Sequence, residues 1–88
     1  MITPASVPVT IRIRLFASYA ERLGGDVVEV SAEGIRTVAD LLERLRALPN
    51  GTVIGPATLV AVNLRHSAPG SAVRAGDEVA VMPPLAGG

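Results

Sequence analysis

Eighty-eight residues carrying eight acidic and eight basic side chains, with no net charge, describe one small domain with a modest core and none of the overall field that draws nucleic acid. Apolar residues make up 49% of the chain, yet there is one Phe, one Tyr, no Trp and no Cys, which excludes base-stacking platforms, disulfide bracing and cysteine nucleophiles together. No run approaches the roughly 20 apolar residues of a membrane span. With no basic, apolar start either, the expectation is a soluble cytoplasmic protein.

Residues 1–8 read as a loose leader. Over residues 9–15, Val9, Ile11, Ile13 and Leu15 alternate with Thr10, Arg12 and Arg14, the period of two that marks a half-buried strand. Residues 17–23 suit a short helix closed by Gly24-Gly25, and residues 27–30 suit a second strand, giving a hairpin-like pair around that helical turn. After a polar linker, Thr37 can cap a helix with Asp40 at its third position, and Val38, Leu41, Leu42, Leu45 and Leu48 recur at helical spacing. Asp40 and Arg44, one turn apart, are expected to pair on the outer face, and Pro49 should stop the helix near Leu48.

Residues 50–56 form a loop from which Val53 and Ile54 can dip inward. Residues 58–62 read as a strand buried on both faces, and residues 63–70 as a turn-rich connection. Ala75-Gly76-Asp77 signals a turn into a last strand over 78–82. The order predicts an α+β domain over residues 9–82, with a mixed sheet packed on one main helix, followed by a tail over 83–88.

The chemical inventory of that domain is short. His66, the one imidazole, sits in a turn-rich stretch and reads as an exposed surface residue. Asp77 and Glu78 are adjacent at a strand start, where alternation sends them to opposite faces, so they make a poor carboxylate pair. The glycines do not form a phosphate cradle. All eight basic residues are Arg and lysine is absent. An activated C-terminus would gain from having no amines nearby, although drift toward Ala, Arg, Gly and Val explains the absence more simply.

The tail Pro83-Pro84-Leu85-Ala86-Gly87-Gly88 stands apart. A terminal Gly-Gly arises by chance in about half a per cent of chains at an average glycine usage of roughly 7%. Pro-Pro favours a stiff, extended segment, while glycine has no Cβ to obstruct a narrow channel around the last carbonyl. Six extended residues span about 20 Å, enough to enter a deep pocket of another protein.

On Gly76-Asp77-Glu78-Val79-Ala80-Val81, Pro83-Pro84 and Gly87-Gly88, with support from Leu15-Phe16-Ala17 and Val60-Ala61-Val62-Asn63, the chain resembles the ubiquitin-like ThiS/MoaD sulfur carriers. It looks most like the small, MoaD-type subunit of molybdopterin synthase. The resemblance implies a β-grasp fold with a flexible C-terminal tail. It also implies a cycle in which a ubiquitin-activating-type adenylyltransferase uses ATP to adenylate Gly88, and a sulfur donor system then converts it to a thiocarboxylate.

By the same resemblance the synthase large subunit takes that sulfur for the molybdopterin dithiolene, in molybdenum cofactor biosynthesis. The chain would hold no stably bound cofactor or metal and no autonomous active site. Gly88 would carry the reacting group and Gly87 would keep the tip slim. Phe16, Met82, Pro83, Pro84, Leu85 and Ala86 would face the partners, with Arg12 and Arg14 at the rim. His66 falls where the family often has an apolar residue. A carrier for tRNA thiolation, cysteine or thiamine thiazole, or a ubiquitin-like protein tag, is the alternative reading.

Overall fold

The computed structural model describes residues 9–84. The expected leader over 1–8 and the tail residues Leu85, Ala86, Gly87 and Gly88 lie outside them. The elements are β1 (Thr10–Leu15), α1 (Ser18–Leu23), β2 (Val27–Ser31), α2 (Val38–Arg46), a single 3-10 turn (Gly51–Val53), β3 (Leu59–Val62), β4 (Arg65–His66) and β5 (Glu78–Met82). They form a five-stranded sheet in the order β2-β1-β5-β3-β4. The two central strands, β1 and β5, run parallel, and every other neighbouring pair is antiparallel.

This mixed sheet closed over one helix is the anticipated β-grasp. Its core joins Val38, Leu41, Leu42 and Leu45 of α2 to Ile11, Ile13 and Leu15 of β1, Val60 and Val62 of β3, and Val79 and Val81 of β5. Each fully buried Leu or Ile contributes about 1.5–3 kcal/mol relative to an exposed one. Among the described residues, every buried core residue lies between Ile11 and Val81.

The start of α2 is set by reciprocal hydrogen bonds. Asp40 N–H donates to Thr37 Oγ1 (3.3 Å), while Asp40 Oδ2 accepts from the N–H groups of Arg36 (3.0 Å) and Thr37 (3.1 Å). The backbone donors of Arg36 first, and then Thr37, hold the Asp40 carboxyl below the usual carboxylate range. A carboxylate favoured by folding adds stability above its unfolded pKa and loses it as pH falls through the folded value. Replacing Thr37 with Ala is expected to cost about 1 kcal/mol, read as a fall in Tm of about 4–8 °C by calorimetry.

Four expectations change. Asp40 does not pair with Arg44: the guanidinium donates instead to the carbonyls of Ser31 (2.9 Å) and Glu33 (2.6 Å), tying α2 to the end of β2. The helix stops at Arg46, ahead of Leu48, and Gly51 closes the turn that follows. A Cβ on Gly51 would run into the carbonyl oxygen of Leu45 and the backbone of Arg46, so this is a close approach that only glycine permits. The strand over 59–62 is buried on one face only, with Leu59 and Ala61 half-exposed. The turn-rich stretch contains a two-residue strand, β4, paired with β3 through Ala61–His66 and Val62–Arg65.

Candidate functional site

Helix α2 covers one face of the sheet, and alternation assigns the other face strand by strand. Ile11, Ile13, Val79, Val81, Val60 and Val62 point into the core. Their neighbours Arg12, Arg14, Glu78, Ala80, Met82, Leu59 and Ala61 therefore share the open face. Cross-strand register then separates that face into two halves.

Toward the tail, Met82 is opposite Leu59, and Ala80 stands between Ala61 on β3 and Arg14 on β1. All four apolar members of this group are half-buried. Phe16 follows Leu15, the last β1 residue registered with β5 and opposite Val81, which puts Phe16 level with Met82. At 44% exposure it is not core. His66, directly opposite Ala61, is exposed at the β4 edge. Together they make an apolar strip that ends where Pro83, half-buried, and Pro84, exposed, leave the sheet.

The other half is polar. Arg12 stands between Glu29 on β2 and Glu78 on β5, whereas Arg14 stands between Val27 and Ala80. A groove of about 510 Å³ runs over this half, lined by Thr10, Arg12, Arg14, Val27 and the turn from Gly76 to Glu78. Arg12 has a carboxylate on each side, while Arg14 meets Glu29 and Glu78 only diagonally and borders the apolar strip. Among the described residues no three His, Cys, Asp or Glu side chains converge as a metal group would require. No described helix is long and apolar enough to cross a membrane.

The start of β5, at the end away from Pro83, is fixed by side-chain hydrogen bonds. Asn63 Oδ1 accepts from Glu78 N–H (2.9 Å), and Asn63 Nδ2 donates to Asp77 Oδ1 (3.1 Å). Asp77 Oδ2 in turn accepts from Arg74 N–H (2.8 Å). Asn63 N–H also donates to the Glu78 carbonyl at 2.7 Å. Asn63 sits at φ 52°, a conformation asparagine tolerates better than most residues. This clasp sets where β5 begins, and five residues later the chain emerges as the tail. Asn63→Ala is expected to lower stability by about 1–2 kcal/mol, measured as a shifted urea midpoint with unchanged slope.

Among the anticipated partner-facing residues, the structure brings Phe16, Met82, Pro83 and Pro84 to one end of one face. Leu85, Ala86, Gly87 and Gly88 lie outside the described residues. Leu59, Ala61 and Ala80 complete the strip and were not anticipated. Their signal was available in the alternation of β3 and β5, where small and apolar side chains fill the off-core positions.

With that geometry in place, the chain can be set beside known proteins. A model of the ThiS family matches residues 13–88. The chain belongs to this family. Two crystal structures of small archaeal modifier protein 1 from Haloferax volcanii are similar to it. They show 30% and 32% identity, TM-scores of 0.75 and 0.74, and coverage of 88% and 90% of this chain and 99% of each of those chains. A putative molybdopterin converting factor, subunit 1, from Pyrococcus furiosus shares the fold, with 24% identity, a TM-score of 0.74, and coverage of 88% of this chain and 99% of that one. No curated protein gives a significant match. This ThiS family member thus stands among the ubiquitin-like sulfur carriers and modifiers, with a β-grasp body and a Gly-Gly end.

Proposed function

We propose that the protein is a sulfur carrier whose Gly88 carboxylate is adenylated by a ubiquitin-activating-type enzyme and converted to a thiocarboxylate that supplies the molybdopterin dithiolene. The observation that carries this reading is the junction at Met82. A central strand, clasped at its start by Asn63, runs past an apolar strip straight into Pro83-Pro84 and on to Gly87-Gly88. Such an arrangement gives a partner a surface to hold and a stiff, slim lead into its active site.

The chemistry fits a chain without catalytic machinery of its own. A carboxylate resists attack until its oxygen is a good leaving group. ATP supplies that group: the Gly88 oxygen attacks the α-phosphorus, pyrophosphate leaves, and an acyl adenylate forms. Sulfide from a donor system then attacks the carbonyl carbon and expels AMP, leaving the thiocarboxylate. The synthase large subunit would supply the acids, bases and pterin contacts of the transfer.

A second reading is a protein tag joined through Gly88 to lysines of its targets. Its support is the 30–32% identity to the structures of small archaeal modifier protein 1, against 24% to the converting factor. One assay separates the two. The thiocarboxylated chain, incubated with a molybdopterin synthase large subunit and the cyclic pterin precursor, should return to the carboxylate as dithiolene product forms. Retention of sulfur there, with isopeptide adducts appearing in extract, would instead establish the tag. Because the chain has no lysine, such adducts should be single additions, with no lysine-linked ladder.

A further inference from the structure

Register lines up four side chains in one row across the open face. Arg14 on β1 is opposite Ala80 on β5, Ala80 is opposite Ala61 on β3, and Ala61 is opposite His66 on β4. Residues directly opposite one another share a face of the sheet, so all four lie on the side away from α2. Two half-buried alanines make the floor of the row, and an exposed nitrogen-bearing side chain stands at each end. Three strand spacings separate Arg14 from His66, about 14 Å.

Charge on this face is sorted by row. Nearer the start of β5, Arg12 stands between the carboxylates of Glu29 and Glu78, so that row compensates itself. Nearer the tail, Met82 and Leu59 are apolar. In the row between, Arg14 and His66 have only apolar side chains directly opposite: Val27 and Ala80 for the first, Ala61 for the second. Other arginines are used by the fold itself, Arg44 on the carbonyls of Ser31 and Glu33 and Arg46 on those of Ile54 and Gly55.

We propose that this row receives an acidic docking face of the adenylating enzyme, an apolar ridge over Ala80 and Ala61 with one carboxylate against Arg14 and another against His66. This rests on the carrier reading above. Charge complementarity sets the chemistry of the partner: a basic or purely apolar face would cover both donors without supplying acceptors, which costs affinity. The occupant is the adenylating enzyme because the carrier and tag readings both pass through adenylation before they diverge. Arg14 offers a planar fork to a carboxylate, and an imidazole keeps at least one N–H donor in either charge state. An apolar centre with a polar rim is the usual division of a protein interface. Because the whole chain has no net charge, any attraction comes from this local pattern.

The test measures the dissociation constant between the full chain and the adenylating enzyme of the source organism, with melting curves recorded alongside. Arg14→Gln should weaken binding about tenfold and His66→Leu about fivefold, while Tm stays within about 2 °C because both sites are exposed. Raising salt from about 0.05 M to about 0.5 M should weaken the wild type more than Arg14→Gln, which has one pair fewer to screen. A carboxylate at Val27, opposite Arg14 on the edge strand, would compete for it only as an exposed pair, worth about threefold or less. Arg36→Gln, just before α2, removes the same charge away from the open face and should leave affinity within about twofold. Wild-type affinity in Arg14→Gln, unchanged or tighter binding by His66→Leu, or an equal loss in Arg36→Gln would each overturn the inference while the carrier reading stands. A wild-type chain that the enzyme neither binds nor adenylates overturns both.

Discussion

Removing Gly88 is expected to abolish thiocarboxylate formation while leaving the fold untouched. The variant still ends in a glycine carboxylate, but that group is one residue short, about 3.5 Å from where the enzyme would meet it. Reacting atoms must come within roughly 3–3.5 Å in alignment, and displacements near 1 Å cost about a hundredfold. A loss of at least about a thousandfold in adenylate formation follows, measured by pyrophosphate exchange. Stability should not change, because the buried core among the described residues spans Ile11 to Val81. Coincident melting curves for the two chains would support this division of labour. A deletion variant that adenylates at the wild-type rate would place the reacting group elsewhere, and one that unfolds would give the tail a structural role.

The second large effect belongs to the open face. Ala61 lies in its middle, between Ala80 and His66, and is half-buried. Ala61→Asp would put a carboxylate into the strip, where a docked partner would have to strip it of water. Burying an unpaired charge costs several kcal/mol, so affinity for the adenylating enzyme should drop about a hundredfold. The free domain should lose less than about 1 kcal/mol, the span of strand preferences at a partly exposed site. Val27→Asp provides the control: it lies on the same face but on the edge strand β2, opposite Arg14, and should leave binding within about threefold of wild type. Equal losses from both substitutions would show that the strip has no special part in docking.

These two effects depend on features of unequal legibility. The alternation from Ile11 to Leu15 and the helical stripe of Val38, Leu41, Leu42 and Leu45 are strong periodic signals, and both elements form where the periods place them. The Thr37–Asp40 box was visible because both halves lie within four residues. Arg44 was misread because spacing shows only neighbours on the same helix, whereas its carbonyl partners at Ser31 and Glu33 come from another element.

Strand β4 escaped for a related reason. A two-residue strand carries no period, and its turn is Asn-Leu where the hairpin signal is Asn-Gly. Residues 58–62 read as a strand buried on both faces because the off-core positions Leu59 and Ala61 are apolar, and sequence does not distinguish a face covered by the protein from one left open.

Asn63 and Asp77 show how a family resemblance and a physical role meet. Both belong to segments that carry the likeness to sulfur carriers, and in the structure they hold each other and the start of β5. Their place in the motif is explained by positioning, with no need for chemistry of their own. The reacting group proposed at Gly88 is separate from both.

Intact-mass analysis of the protein after incubation with ATP, a sulfide source and a ubiquitin-activating-type enzyme from the same organism tests this account most directly. The prediction is a gain of about 16 Da, one oxygen exchanged for one sulfur on a group carrier, confined to the C-terminal peptide that ends in Gly88. An unchanged mass, with an enzyme shown to be active on ATP, would contradict it.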